Sequence, residues 1–158
     1  MHEMNPFALS FWVPVGVSVL CGSIIGLERQ LRGKPAGVRT STLICLSTQL
    51  FVQLGAELGA GGADPTRIVG QIVTGVGFLG AGVIMAQEKG VTGVTTAAVI
   101  WILAAVGAAI GIGEYHAAIA LAMTTVVILT GVELLETSLR WLRRGAHSRV
   151  KSEKRVSD

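Results

Sequence analysis

From Thr40 to Leu139 the chain carries only eight Asp, Glu, Lys or Arg residues, while the 58 residues outside that block carry fifteen. Soluble chains average about 25% charged residues, so a hundred-residue block this depleted has no water-facing surface to build. It calls for a bilayer. The expected fold is all-α, a polytopic transmembrane helix bundle packed through Gly and Ala. At 158 residues the chain has room for four or five spans of about 20 residues and no second folded domain.

The centre of that block is Ile68 to Trp101, which reads as two apolar helices joined by a short link rich in Gly and Thr. At 100° per residue, Gly70, Thr74, Gly77 and Ala81 fall within about 60° of one another, and Gly75 and Gly82 share a second side. Each glycine costs roughly 0.5–1 kcal/mol relative to Ala in a water-exposed helix. In lipid, small residues three or four apart offset that cost by letting helix backbones approach closely. The expectation is a central helix gripped on two sides, with Gly70, Thr74, Gly77, Gly80 and Gly82 as packing positions and Ala97, Trp101 and Ala104 as the facing surface of the next helix. Gly75 to Gly80 also spells GxGxxG, but it lies inside an apolar run, with Thr95 and Thr96 where a dinucleotide fold needs an acid. No GxxxxGK[ST] phosphate loop occurs.

In chain order, the expected spans are residues 7–27, 40–59, 68–86, 96–113 and 117–135, followed by a basic tail over 139–158. The N-terminus lacks the basic start of a secretory signal, so the first span is read as uncleaved. Gly22 and Gly26 form a second close-packing step in it. Residues 28–39 read as a polar loop turning at Pro35 and Gly37. The second span carries Gln49, Gln53 and Glu57 at i, i+4 and i+8, a stripe that should face protein or water. Asp64 is placed to cap the third helix, and Thr95 or Thr96 the fourth. Cys21 and Cys45 lie in apolar runs and read as small core residues.

Charge placement sets the orientation. With five spans, twelve of the thirteen Lys and Arg residues fall on one side: four between 28 and 39, Lys89, and seven from Arg140 onward. The positive-inside rule then puts the N-terminus outside and the C-terminus in the cytoplasm. The basic tail reads as an anchor on anionic lipid, not as a nucleic-acid binder, because it continues a membrane helix and holds one aromatic residue, Trp141.

Five separated motifs then agree in order and spacing. They are Gly26-Leu-Glu-Arg-Gln30 with Ala36-Gly-Val-Arg-Thr40, Asp64-Pro-Thr-Arg-Ile68, Gly77-Phe-Leu-Gly-Ala-Gly82, and Gly93-Val-Thr-Thr-Ala-Ala98 with Trp101. Over about residues 16–135 the chain resembles the MgtC/SapB family of bacterial inner-membrane proteins. The resemblance implies growth at low magnesium, survival inside phagocytes for some members, and control of membrane energetics through other membrane proteins. It implies no established transport reaction. Some members continue into a cytoplasmic C-terminal domain, and this chain is expected to correspond to the transmembrane domain alone.

Glu28, Arg29 and Arg39 match the family's charged motif and stand at the expected cytoplasmic mouth. They could form a paired site for a cation, a lipid headgroup or a helix, or Glu28 could simply pair with Arg39 and fix the loop. Asp64 and Arg67 stand at the outer side, where Asp64 could meet Mg²⁺ or merely cap a helix. Thr95 and Thr96 follow Gly93 at the inner side, where a broken helix could expose backbone groups or a hydroxyl could cap one. Glu136 and Arg140 suggest a plain i, i+4 pair. The chain shows no Ser/His/Asp arrangement, no paired carboxylates and no Cys/His ligand spacing. The resulting expectation is a non-enzymatic, cofactor-free membrane regulator. Its expected partners are the lipid bilayer and other integral membrane proteins, with a homo-oligomer and Mg²⁺ as further candidates and nucleic acid excluded. The alternative is a small cation transporter or channel, with Mg²⁺ as a candidate ion, working as an oligomer around the polar stripe and the charged mouth.

Overall fold

A computed structural model describes residues 6–59, 65–87 and 90–153. Five helices follow one another: α1 (Leu9–Leu31), α2 (Val38–Gly59), α3 (Pro65–Val83), α4 (Val94–Gly111) and α5 (Tyr115–Glu153). Among the described residues, three segments are long and apolar enough to cross a membrane by length and composition: Leu9–Leu31, Val94–Gly111 and Tyr115–Leu135. Arg67–Val83 is a shorter apolar helix. The chain divides into two compact units, one up to Thr125 and one from Val126. The second consists, among the described residues, of the remainder of α5.

Two local features depart from what the sequence suggested. The polar segment expected to be loop from residue 28 is helical to Leu31, so Glu28 and Arg29 project from the last turns of α1. The third helix stops at Val83, and the chain then forms a two-stranded antiparallel hairpin, β1 (Met85–Gln87) with β2 (Gly90–Thr92). Its register pairs Met85 with Thr92 and Gln87 with Gly90. Strands of three residues carry too few alternations to register as a period.

Within the first unit, glycines set the helix spacing where backbones meet. A methyl group on Gly22 would lie 2.6 Å from Thr42 Cα, and one on Gly26 would lie 2.5 Å from Val38 Cα, so α1 and α2 touch backbone to backbone. Ser23 and Thr42 share a hydroxyl hydrogen bond of 3.4 Å across the same contact. On the other side of α2, Gly107 meets the Cys45 carbonyl and Gly111 meets Val52. The Cys45 thiol donates to the Leu103 carbonyl at 3.3 Å. The core between these three helices is Cys21, Ile25, Cys45, Leu103, Val106 and Ile110. Ala118 and Ala122, one turn apart on the first part of α5, are also fully buried.

The third helix touches two neighbours, α2 through Ile68 on Gly55 and α4 through Gly80, but not through the two glycine faces. Gly80 packs on α4, 3.7 Å from Ala97 Cβ and 3.8 Å from Trp101 Cδ1 for an added methyl, and Val76 is buried beside it. A methyl on Gly70, Gly75, Gly77 or Gly82 would meet nothing within 4 Å, and Thr74 is exposed, its hydroxyl bonded to the Gly70 carbonyl. The buried arc of α3 therefore lies roughly a third of a turn from its glycine face. The small surface of α4 is divided as well: Ala97 and Trp101 face α3, whereas Gly107 and Gly111 face α2. Helix α4 is apolar around its whole circumference, so no polar stripe marks which side turns toward which neighbour.

Candidate functional site

The charged residues at the end of α1 become a built structure because the chain folds back on itself there. Gly33 and Ala36 both take positive φ, 62° and 63°, which turns the backbone sharply between α1 and α2. The Lys34 amide donates to the Arg29 carbonyl at 2.9 Å, closing the helix end. The Val38 amide donates to Gln30 Oε1 at 3.3 Å, and the Ser41 hydroxyl donates to the Ala36 carbonyl at 2.8 Å. The turn is thus held by side chains of both helices it joins.

Arg29 is the centre of this arrangement. It is only 4% exposed; its Nε donates to the Pro35 carbonyl at 3.3 Å and its Nη2 donates to Thr96 Oγ1 at 3.0 Å. One guanidinium fork therefore ties the end of α1, the following turn and the first turn of α4, using the planar spread of donors that a lysine lacks. A cation is also favoured in the last turn of a helix, where carbonyls point outward. Burial of such a group is tolerated only when its donors find acceptors, and these two do.

Glu28 stands next to it, 9% exposed. Its Oε1 lies 2.7 Å from Arg32 Nε, a close ion contact one turn along the helix, with the acid on the N-terminal side as i, i+4 pairs prefer. The alignment is not that of a hydrogen bond, and Oε2 has no hydrogen-bond partner among the described residues. The acid thus pairs with Arg32, not with Arg39, which is exposed. The reason is helical continuation: with α1 extending to Leu31, Arg32 comes within one turn of Glu28.

The hydroxyls expected to cap α4 do not do so. The N-cap is Gly93, with φ 88° and no side-chain cap hydrogen bond. Thr95 is exposed, while Thr96 is 3% exposed and spends its hydroxyl oxygen on Arg29. Gly93 is needed at this place twice over, by its left-handed conformation and because a side chain there would collide with the Val83 carbonyl. Among the described side chains, Arg67 and Glu57 are not part of this mouth. Arg67 is exposed at the start of α3, Glu57 is exposed near the end of α2, and Asp64 lies outside the described residues, as do the side chains of Glu136 and Arg140.

Some contributors carried no signal of their own in the sequence. Arg32 read as a topology charge and phosphate contact, and Ser41 was not singled out. Gln49 was expected to bond between helices or line a path; it is 1% exposed and makes no hydrogen bond among the described residues. Ser18, on the same face of α1 as Gly22, is equally buried and unbonded.

Apolar helices tied at one end by a buried arginine, with a buried acid beside it, define a polytopic helical membrane protein with a structured polar mouth. The sequence profile of the MgtC family matches residues 15–138, and the chain belongs to that family. It is 44% identical over 119 residues to YhiD of Escherichia coli K12, whose name gives magnesium transport as a provisional role; the match covers 71% of this chain and 55% of that protein. It is 40% identical over 148 residues to Protein MgtC of Brucella abortus, covering 85% of this chain and 60% of the relative. An uncharacterised Haemophilus influenzae protein is 35% identical over 154 residues, covering 92% and 63% respectively. The chain therefore spans less than two thirds of the length of these relatives. No solved structure matches it.

Proposed function

We propose that the chain is a non-enzymatic protein of the bacterial inner membrane, N-terminus outside and C-terminus in the cytoplasm, that serves adaptation to magnesium limitation. It acts by packing against other integral membrane proteins and altering membrane energetics through them. The observation that carries this reading is the open face of α3. Gly70, Thr74, Gly77 and Ala81 form a surface with almost no side chains, exposed except at half-buried Gly77, and a methyl on either glycine would meet nothing of the chain's own core. Such a surface costs helix stability, and in lipid its return comes from a second backbone at close range. The polar mouth at Glu28, Arg29 and Arg32 sets the inner end of α1 and offers the charge that a partner or ion would sense.

A photo-crosslinker at Ala81, in native membranes grown at low magnesium, tests the reading. Protein adducts that disappear when Gly70 and Gly77 are both changed to Leu support it. Adducts to lipid alone, with helix content unchanged, refute it.

A second reading, a small cation transporter, is favoured by one feature. Glu28 Oε2 is a buried carboxylate oxygen without a hydrogen-bond partner, and the E. coli relative's name points to magnesium. Liposomes holding the purified protein under a Mg²⁺ gradient separate the two: flux lost in Glu28→Gln supports transport, and its absence with verified insertion supports the regulator.

A further inference from the structure

Gln49 sits midway along α2, about 16 Å from the first residue of that helix at 1.5 Å per residue. Neither its amide nitrogen nor its amide oxygen has a hydrogen-bond partner among the described residues, although the residue is 1% exposed. Ser18 on α1 is fully buried, and its hydroxyl is unpartnered in the same way. The register of the two helices brings these groups to one level. Gly26 lies against Val38 and Gly22 against Thr42, so each turn back along α1 meets a turn forward along α2. Ser18, one turn before Gly22 on the same face, is therefore level with the turn from Cys45 to Gln49.

A carboxamide offers two donors and two acceptor sites, and a hydroxyl adds one donor and two more. Unpaired groups of this kind are among the most costly that a core can hold. The set is neutral and mixes donors with acceptors, which suits water. A divalent cation wants several oxygen ligands including carboxylate, and no acid stands at this level among the described residues.

Apolar side chains enclose this level on both sides: Pro14 and Val52 are buried toward the Glu57 end, and Ile25, Ile44, Val99, Ile100 and Leu103 toward the Arg29–Thr96 bond. We propose that Ser18 and Gln49 hold internal water in this enclosed, neutral setting midway along the bundle.

Two native thiols report on it. Cys45 is one turn from Gln49, Cys21 is three residues from Ser18, and both are fully buried. Brief X-ray radiolysis of the full chain in lipid nanodiscs, in ¹⁸O-labelled water, places ¹⁸O on side chains beside bound water and is read by mass spectrometry. The expected result is label on both cysteines in the wild type, falling at least about fivefold in the Ser18→Ala/Gln49→Leu double variant. Ser18→Ala alone removes one oxygen and serves if the double variant does not fold; it should lower the label at Cys21. Thermal unfolding gives an independent reading: Gln49→Leu lowers Tm if the site is wet and raises it if the amide is buried dry. Unlabelled cysteines in the wild type, label unchanged in the Ser18 variants, or a raised Tm for Gln49→Leu would each overturn the proposal.

Discussion

Gly22→Ala should destabilise the bundle while Gly16→Ala, on the same helix, should not. A methyl on Gly22 would lie 2.6 Å from Thr42 Cα and 2.9 Å from the Ser41 carbonyl oxygen, both backbone atoms that cannot rotate away. Ordinary carbon contacts start near 3.5 Å, so α1 and α2 would have to separate by about 1 Å along this face. Overpacking of that kind costs typically about 1–3 kcal/mol, and the separation also loosens the neighbouring contact at Gly26. Against it stands the gain of replacing Gly by Ala inside a helix, about 0.5–1 kcal/mol. Subtracting the two ranges leaves a net loss of about 0–2.5 kcal/mol for Gly22→Ala, centred near 1. At Gly16 a methyl meets nothing within 4 Å, so only the gain remains. Titration from mild detergent into SDS, followed by helical circular dichroism, measures both variants against the wild type. If Gly22→Ala proved as stable as Gly16→Ala, the backbone contact between α1 and α2 would not be what sets their spacing, and the reasoning would be refuted.

Four further outcomes follow from the mouth, the α3–α4 link and the core. Thr96→Val removes the acceptor for Arg29 Nη2 and should cost about 1.5–3 kcal/mol in the same titration, the range for a hydrogen bond to a charged group, whereas Thr95→Val at the exposed neighbour should be close to neutral. Arg29→Lys should not rescue, because one ammonium cannot reach both Pro35 O and Thr96 Oγ1 in the geometry of the fork; wild-type stability in that variant would show the fork to be dispensable. Gly93→Ala should cost at least about 1–2 kcal/mol for its left-handed backbone alone, with more from the collision at Val83, and should appear as lost protease resistance between α3 and α4. Cys21 and Cys45 should resist a bulky membrane-impermeant maleimide in the folded protein and react fully once it is unfolded in SDS.

Much of the architecture was legible in residue order. Charge depletion from Thr40 to Leu139 required helices in lipid, and Pro35, Gly37 and the Glu114 link interrupted them where the chain turns. The GxxxG step at Gly22 and Gly26 marked a true backbone contact. At the mouth, Glu28, Arg29 and Thr96 could be singled out by type and place, but their pairing could not. Glu28 chose Arg32 because α1 continues past residue 28, and a boundary error of a single turn is enough to exchange one arginine for another. The hairpin from Met85 to Thr92 left no trace because each strand holds only three residues.

What the sequence by itself determined is the class: the solvent of the chain, its all-helical form, and the residues small enough for close packing. Only the tertiary structure decided which faces meet. Arg29 and Thr96 are 67 residues apart, and nothing local links them. In water, an apolar stripe tells a helix which way to turn, because burying it is itself favourable. In lipid both faces of α3 and every face of α4 are equally soluble, so small residues permit a contact without selecting its partner. That is why Gly80 packs while Gly70 and Gly77, an equally smooth surface a fraction of a turn away, remain open.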